Sequence, residues 1–126
     1  MEDYNMAIKV NPNSVEAYTN RGFVKYAIKD FIGAIADENK AIAINPVYLE
    51  AYFNRGTAKA CLQDYRGAIE DYNKAIEINP KYFPAYLYRG LNKIQLGQKD
   101  AGCLDISKAG ELGSTEAYNV IKQFCN

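Results

Sequence analysis

Three arginines stand immediately before glycines, at Arg21-Gly22, Arg55-Gly56 and Arg89-Gly90, and each is followed at one constant offset by an aspartate: Asp37, Asp71 or Asp105. A guanidinium has forked donors that suit a carboxylate, so such a set can either grip an acidic ligand or tie one part of a fold to another. Other chemistry is scarce. Asp37-Glu38 and Glu70-Asp71 are adjacent carboxylates, but neighbours on a helix point in different directions and make poor acid–base pairs, so they read as solvated faces. Histidine is absent, which removes the commonest general base and the commonest metal ligand. Cys61, Cys103 and Cys125 are odd in number and widely spaced. They fit neither a disulfide framework nor a Cys-x-x-Cys metal site and read as free thiols in a reducing compartment, Cys61 as a small buried side chain. With no acid–base dyad, phosphate loop or metal cluster, the expectation is no enzyme, no catalytic residue, no metal and no cofactor.

The composition agrees with that reading. The chain has 126 residues, 48% of them hydrophobic and 24% charged, as in an ordinary soluble domain able to bury a core. Lysine plus arginine balances aspartate plus glutamate at 15 each, so neither nucleic acid nor an anionic membrane surface is expected as a partner. No apolar run reaches transmembrane length, and the opening "MEDYNMAIKV" lacks the layout of a signal peptide. A cytoplasmic location follows as the expectation.

What must position the arginines is a repeat. Asn-Pro recurs at 11–12, 45–46 and 79–80, Ala-Tyr at 17–18, 51–52 and 85–86, and Lys-Ala at 40–41, 74–75 and 108–109, always with the same 34-residue step. Three markers on one period mean a solenoid of supersecondary units that cannot bury their apolar faces alone. Each unit reads as two helices. The first spans Ser14–Ile28, Tyr48–Leu62 and Tyr82–Leu96; the second spans Phe31–Ile44, Tyr65–Ile78 and Lys99–Leu112. Asp30 and Asp64 stand where an N-cap is needed, and each Asn-Pro stops the helix before it. Glycine inside a helix costs about 1 kcal/mol relative to alanine. Its recurrence at Gly22, Gly56 and Gly90, matched by small residues at Ala34, Ala68 and Gly102, therefore implies close helix approach.

With this spacing, the glycines, the alanines and the prolines Pro46 and Pro80 in place, the chain resembles the tetratricopeptide repeat (TPR) family, with Tyr18, Tyr52 and Tyr86 where that family's pattern has tryptophan. The resemblance covers essentially the whole chain. It implies an all-α, right-handed α-solenoid of antiparallel helix pairs, with repeats at 11–44, 45–78 and 79–112 and a C-terminal capping helix in 113–126. "DYNMAI" at 3–8 aligns with "DENKAI" and "DYNKAI" one and two periods on, so residues 1–10 read as the second helix of an incomplete repeat. Through that end the chain is expected to self-associate at high concentration.

In the family it resembles, first helices line a concave groove that holds a peptide or helix of a protein partner. Helical spacing then assigns Asn20, Phe23, Tyr26, Phe53, Asn54, Thr57, Leu87, Tyr88 and Leu91 to the groove. Phe23, Tyr26, Phe53 and Tyr88 either anchor a partner there or pack against the neighbouring unit. Asn20 and Asn54 match the family's asparagine that hydrogen-bonds a ligand backbone. The cationic members of the family's chaperone-tail carboxylate clamp are missing, since its positions carry Thr19, Phe23, Asn54, Pro84 and Tyr88. Arg21, Arg55 and Arg89 read as internal ties to Asp37, Asp71 and Asp105 rather than ligand contacts, and Lys25, Lys59 and Lys93 as stems lying over the helix interface. The expected function is a non-catalytic protein-interaction module; the alternative is a structural or self-associating segment of a longer array.

Overall fold

A computed structural model describes residues 1–126 as eight helices with no strand: α1 (Glu2–Val10), α2 (Val15–Ala27), α3 (Phe31–Ile44), α4 (Leu49–Cys61), α5 (Tyr65–Ile78), α6 (Phe83–Gln95), α7 (Lys99–Glu111) and α8 (Ala117–Phe124). The most extensive packing is within the pairs α2/α3, α4/α5 and α6/α7, and each pair packs on the next. Helix α2 also touches α4, and α4 touches α6, so the first helices of successive pairs form one continuous row. The result is an all-α helical-repeat solenoid.

The local chemistry repeats with the sequence. The side chains of Asp30 and Asp64 accept from the backbone N–H of Gly33 and Gly67 at 3.0 Å each, capping α3 and α5. Where α7 begins, Gln98 makes no such bond. Asn45 and Asn79 end α3 and α5 in extended backbone. Their side-chain oxygens accept from the N–H two residues on, at 3.2 and 3.1 Å, which turns the chain toward the next unit. The hydroxyls of Tyr52 and Tyr86 donate to the carbonyls of Pro46 and Pro80 at 2.7 and 3.0 Å, fastening α4 and α6 to the turns that precede them.

Inside each pair the turn passes through the left-handed region, at Lys29 (φ 68), Gln63 (φ 65) and Gly97 (φ +82). The N–H of Asp30, Asp64 and Gln98 then reaches back to the carbonyl of Lys25, Lys59 and Lys93 at 2.8, 2.9 and 2.8 Å, a Schellman closure. A side chain in that region costs about 1 kcal/mol, offset by the extra unfolded-state freedom of a glycine. Lys29→Gly and Gln63→Gly are each expected to stabilise the protein by roughly 0.5 kcal/mol. Chemical denaturation of the double variant checks this; a lower midpoint than wild type would refute it.

The core has two clusters. One gathers Leu49, Ala68, Tyr72, Ala75 and Ala85; the other, Leu87, Ile106, Ala109 and Ala117, lies between α6, α7 and α8. Small residues let the paired helices meet: a Cβ placed on Gly56 would lie 3.2 Å from the Ala68 carbonyl oxygen, and one on Gly90 only 2.6 Å from that of Gly102.

The cysteines depart from the sequence reading. Cys103 on α7 and Cys125 just after α8 form a disulfide, because α8 folds back along α7 and brings the two thiols together. Cys61 is free and exposed rather than buried. The thiol argument for a reducing compartment therefore falls. No helix is long and apolar enough to cross a membrane.

Candidate functional site

Each arginine is the centre of a five-residue cluster. Arg21, Arg55 and Arg89 donate through Nε and Nη2 to both carboxylate oxygens of Asp37, Asp71 and Asp105, at 2.9 and 2.6, 2.9 and 2.6, and 2.8 and 2.7 Å. The same carboxylates take Lys25, Lys59 and Lys93, with Nζ at 3.1, 3.3 and 2.9 Å. The remaining fork, Nη1, donates to Asn5, Asn39 and Asn73 at 3.0, 2.9 and 2.8 Å, which lie on α1, α3 and α5 of the preceding unit. The guanidinium planes lie over the rings of Tyr18, Tyr52 and Tyr86, adding a cation–π contact. The bond to aspartate holds the Arg21 and Arg55 guanidiniums still more firmly protonated. Each arginine thus joins its own pair to the one before it.

Two readings of the sequence change here. The lysine stems do lie over the interface, but they end on the aspartates, so each of these three carboxylates faces two cations. Asp37, Asp71 and Glu38 are buried, not part of a solvated face. The asparagine partners were missed, although their signal was present. Asn5, Asn39 and Asn73 keep the repeat's step, and each precedes its arginine by the same offset at which the aspartate follows it.

The row of first helices carries a cavity of about 130 Å³ lined by Phe23 and Tyr26 of α2, Phe53, Asn54 and Thr57 of α4, and Tyr88 of α6. None of the six is charged. Phe23 is 56% exposed and forms an open wall. Phe53 is half-buried and packs on Tyr72, Tyr82 and Tyr88 at ring distances of 5.6, 5.4 and 5.5 Å, so it serves the core and the cavity together. The Thr57 hydroxyl lies 3.0 Å from that of Tyr72 and 2.9 Å from the Phe53 carbonyl, which leaves it little to offer a ligand. Burial and the neighbouring Cys61 hold the Tyr26 hydroxyl protonated, so the cavity presents neutral donors and acceptors.

The other groove assignments separate. Asn20 is exposed and stands apart from the cavity lining. Leu87 is 3% exposed within the α6–α7–α8 core, and Leu91 packs against that same core. Leu87 is therefore a core residue, because it packs with Ile106 and Ala117, whereas Phe53 at the same position of α4 reaches the cavity as well as the core. Thr19, at the matching position of α2, is buried against Glu38 of α3.

Glu38 on α3 is fully buried. Its Oε1 accepts from the Thr19 hydroxyl at 2.9 Å, while Oε2 has no hydrogen-bond partner. Burial pushes the carboxyl up to about 8, opposed by Thr19 and the Asn54 amide and reinforced by Asp37. It is a neutral acid at pH 7.

The tetratricopeptide repeat family model matches residues 49–82. Among solved structures, one of MamA is 31% identical, with a TM-score of 0.83 over 93% of this chain and 68% of that one; a second MamA structure, also 31% identical, is covered to 64%. The TPR domain of Arabidopsis OM64 is 26% identical with a TM-score of 0.86, over 89% of this chain and 94% of that one. The first TPR of Spaghetti (RPAP3), bound to the HSP90 peptide SRMEEVD, shares the fold at 23% identity and a TM-score of 0.84, over 88% of this chain and 90% of that one. No curated protein matches the chain significantly. The repeat period, the paired helices and these likenesses together place the chain in the tetratricopeptide repeat family.

Proposed function

We propose that this chain is a non-catalytic interaction module that seats a peptide or helix of a protein partner against the concave row of α2, α4 and α6. The observation that carries the reading is the uncharged aromatic cavity formed by one residue set from all three of these helices. Exposed aromatic surface around an apolar hollow anchors partners through desolvation, and Asn54 supplies an amide able to hold a ligand backbone. RPAP3, of the same fold, is seen with a peptide bound, which supports a peptide-sized ligand here.

The groove lacks the cations that an acidic chain end requires. An unpaired carboxylate in such a site loses its water without compensation. The peptide SRMEEVD is accordingly expected to show no calorimetric binding at millimolar concentration. Random peptides displayed on phage are instead expected to enrich for uncharged sequences with large apolar side chains. Phe23→Ala should weaken their capture about tenfold, the usual scale for an interfacial aromatic, with little change in melting temperature because that ring is mostly exposed. Enriched peptides that bind Phe23→Ala and Asn54→Ala as tightly as wild type would place the site elsewhere.

A further inference from the structure

Position 38 is one where the three repeats carry chemically different residues. At equivalent places in the three units the chain carries Glu38, Tyr72 and Ile106 on the second helices, opposite Thr19, Phe53 and Leu87 on the first. In α4/α5 the pair is aromatic, with Phe53 and Tyr72 at 5.6 Å. In α6/α7 Leu87 and Ile106 share an apolar cluster. Only in α2/α3 is it polar, Thr19 donating to Glu38 at 2.9 Å. A fully buried carboxyl with one oxygen unpartnered is costly beside these apolar alternatives.

The neighbours of that oxygen decide what it can do. Gly22 forms one wall, where a Cβ would lie 2.6 Å from Oε2. Asn54 of the next unit's first helix, which lines the cavity, stands to Glu38 as Tyr88 does to Tyr72 one repeat on, where the rings are 6.3 Å apart; its amide makes no hydrogen bond to Oε2. The charged groups around it are already engaged. Arg21 and Lys25 of α2 bind Asp37, and Arg55 of α4 binds Asp71. Asp37 beside it disfavours a second negative charge, Arg55 weakly favours one, and Tyr48 at the start of α4 feels the carboxyl as well. No cation remains to pair with an ionised Glu38: Thr19 is its one hydrogen-bond donor, and the Asn54 amide is the further polar group that favours the charge.

We propose that Glu38 is a proton-binding site that couples the groove to pH. As a neutral acid it leaves Asn54 free to meet a ligand backbone. When its proton passes to solvent, the carboxylate draws the Asn54 amide inward and withdraws it from the cavity. The folded protein holds this proton up to about pH 8 against an ordinary 4.5. Between those values the folded state binds one more proton than the unfolded chain. Folding therefore weakens about tenfold per pH unit across that window and levels off above it.

The test needs no ligand, so it stands or falls apart from the reading of the groove as a peptide site. The Asn54 side-chain amide is followed by NMR, and thermal unfolding is measured, from about pH 5.5 to 9, in wild type, Glu38→Gln and the double variant Thr19→Leu/Glu38→Ile. The double variant copies the pair of the third repeat and keeps the comparison open if Glu38→Gln does not fold. In wild type the amide signals should move with one midpoint near pH 8, and the folding constant should fall by the stated tenfold per unit relative to the variants. Amide signals that stay still in wild type, or that titrate equally in either variant, would overturn the proposal.

Discussion

Replacing Asp71 by alanine is expected to destabilise the protein by about 3 kcal/mol, the scale for removing one partner of an enclosed ion pair. Its carboxylate is buried at the α4–α5 seam and is shared by Arg55 and Lys59. Without it two cations lose their counter-ion at once, and Arg55 keeps only the Asn39 oxygen and the Tyr52 ring. The cost falls short of a deep interior pair because the arginine and lysine remain 20% and 23% exposed, where water screens part of the charge. Asp71→Asn keeps one acceptor for the fork and should lose about half as much. Urea unfolding of the two variants gives the measurement. A loss under about 1 kcal/mol for Asp71→Ala would mean that the cluster behaves as an ordinary surface pair.

Gly90→Ala is expected to cost about 2 kcal/mol, a net figure after the roughly 1 kcal/mol that alanine contributes by helix propensity. The new methyl would meet the Gly102 carbonyl oxygen at 2.6 Å and Ile106 Cγ1 at 2.7 Å. The first of these is backbone of the partner helix and cannot swing aside. Gly56→Ala supplies the contrast, because its nearest neighbours lie at 3.0, 3.1 and 3.2 Å; there the propensity gain and the crowding should nearly cancel. Equilibrium denaturation of both variants tests the ordering. Equal losses would show that α6/α7 relaxes as easily as α4/α5. The difference arises because the third pair carries glycine at both contact positions and closes more tightly than the pairs that face glycine with alanine.

How much of this was legible depended on whether the information was local or periodic. Asp30 and Asp64 as caps, and Asn-Pro as a stop, act over a few residues, so their chemistry could be read directly. The constant step of the repeat supplied the long-range part, because equivalent positions in a stacked array have equivalent surroundings. That equivalence is what made the aspartate following each arginine at a fixed offset visible as a partner on the paired helix. The asparagine preceding each arginine obeys the same step, but it lies in the preceding unit and is found only by asking which earlier helix the guanidinium faces.

Where the repeats differ, periodicity says nothing, and there the sequence reading gave way. Glu38 looked like half of a solvated Asp-Glu pair, since no single helix indicates that both acids are enclosed, Asp37 by Arg21 and Lys25 and Glu38 against Thr19. Leu87 counted as a groove residue by helical spacing until packing against Ile106 and Ala117 claimed it. Cys103 and Cys125 carry no spacing that foretells a bond; the fold-back of α8 creates it.

By itself, then, the sequence determined the helix pairs, their period and the solenoid, because capping, proline stops and repeated small residues are written in short stretches of chain. Tertiary structure decided which polar side chains are enclosed, which aromatics stay open around the cavity, and which cysteines meet. Those outcomes depend on contacts between helices, where burial sets the cost of every charge and each side chain has only one vacancy to fill.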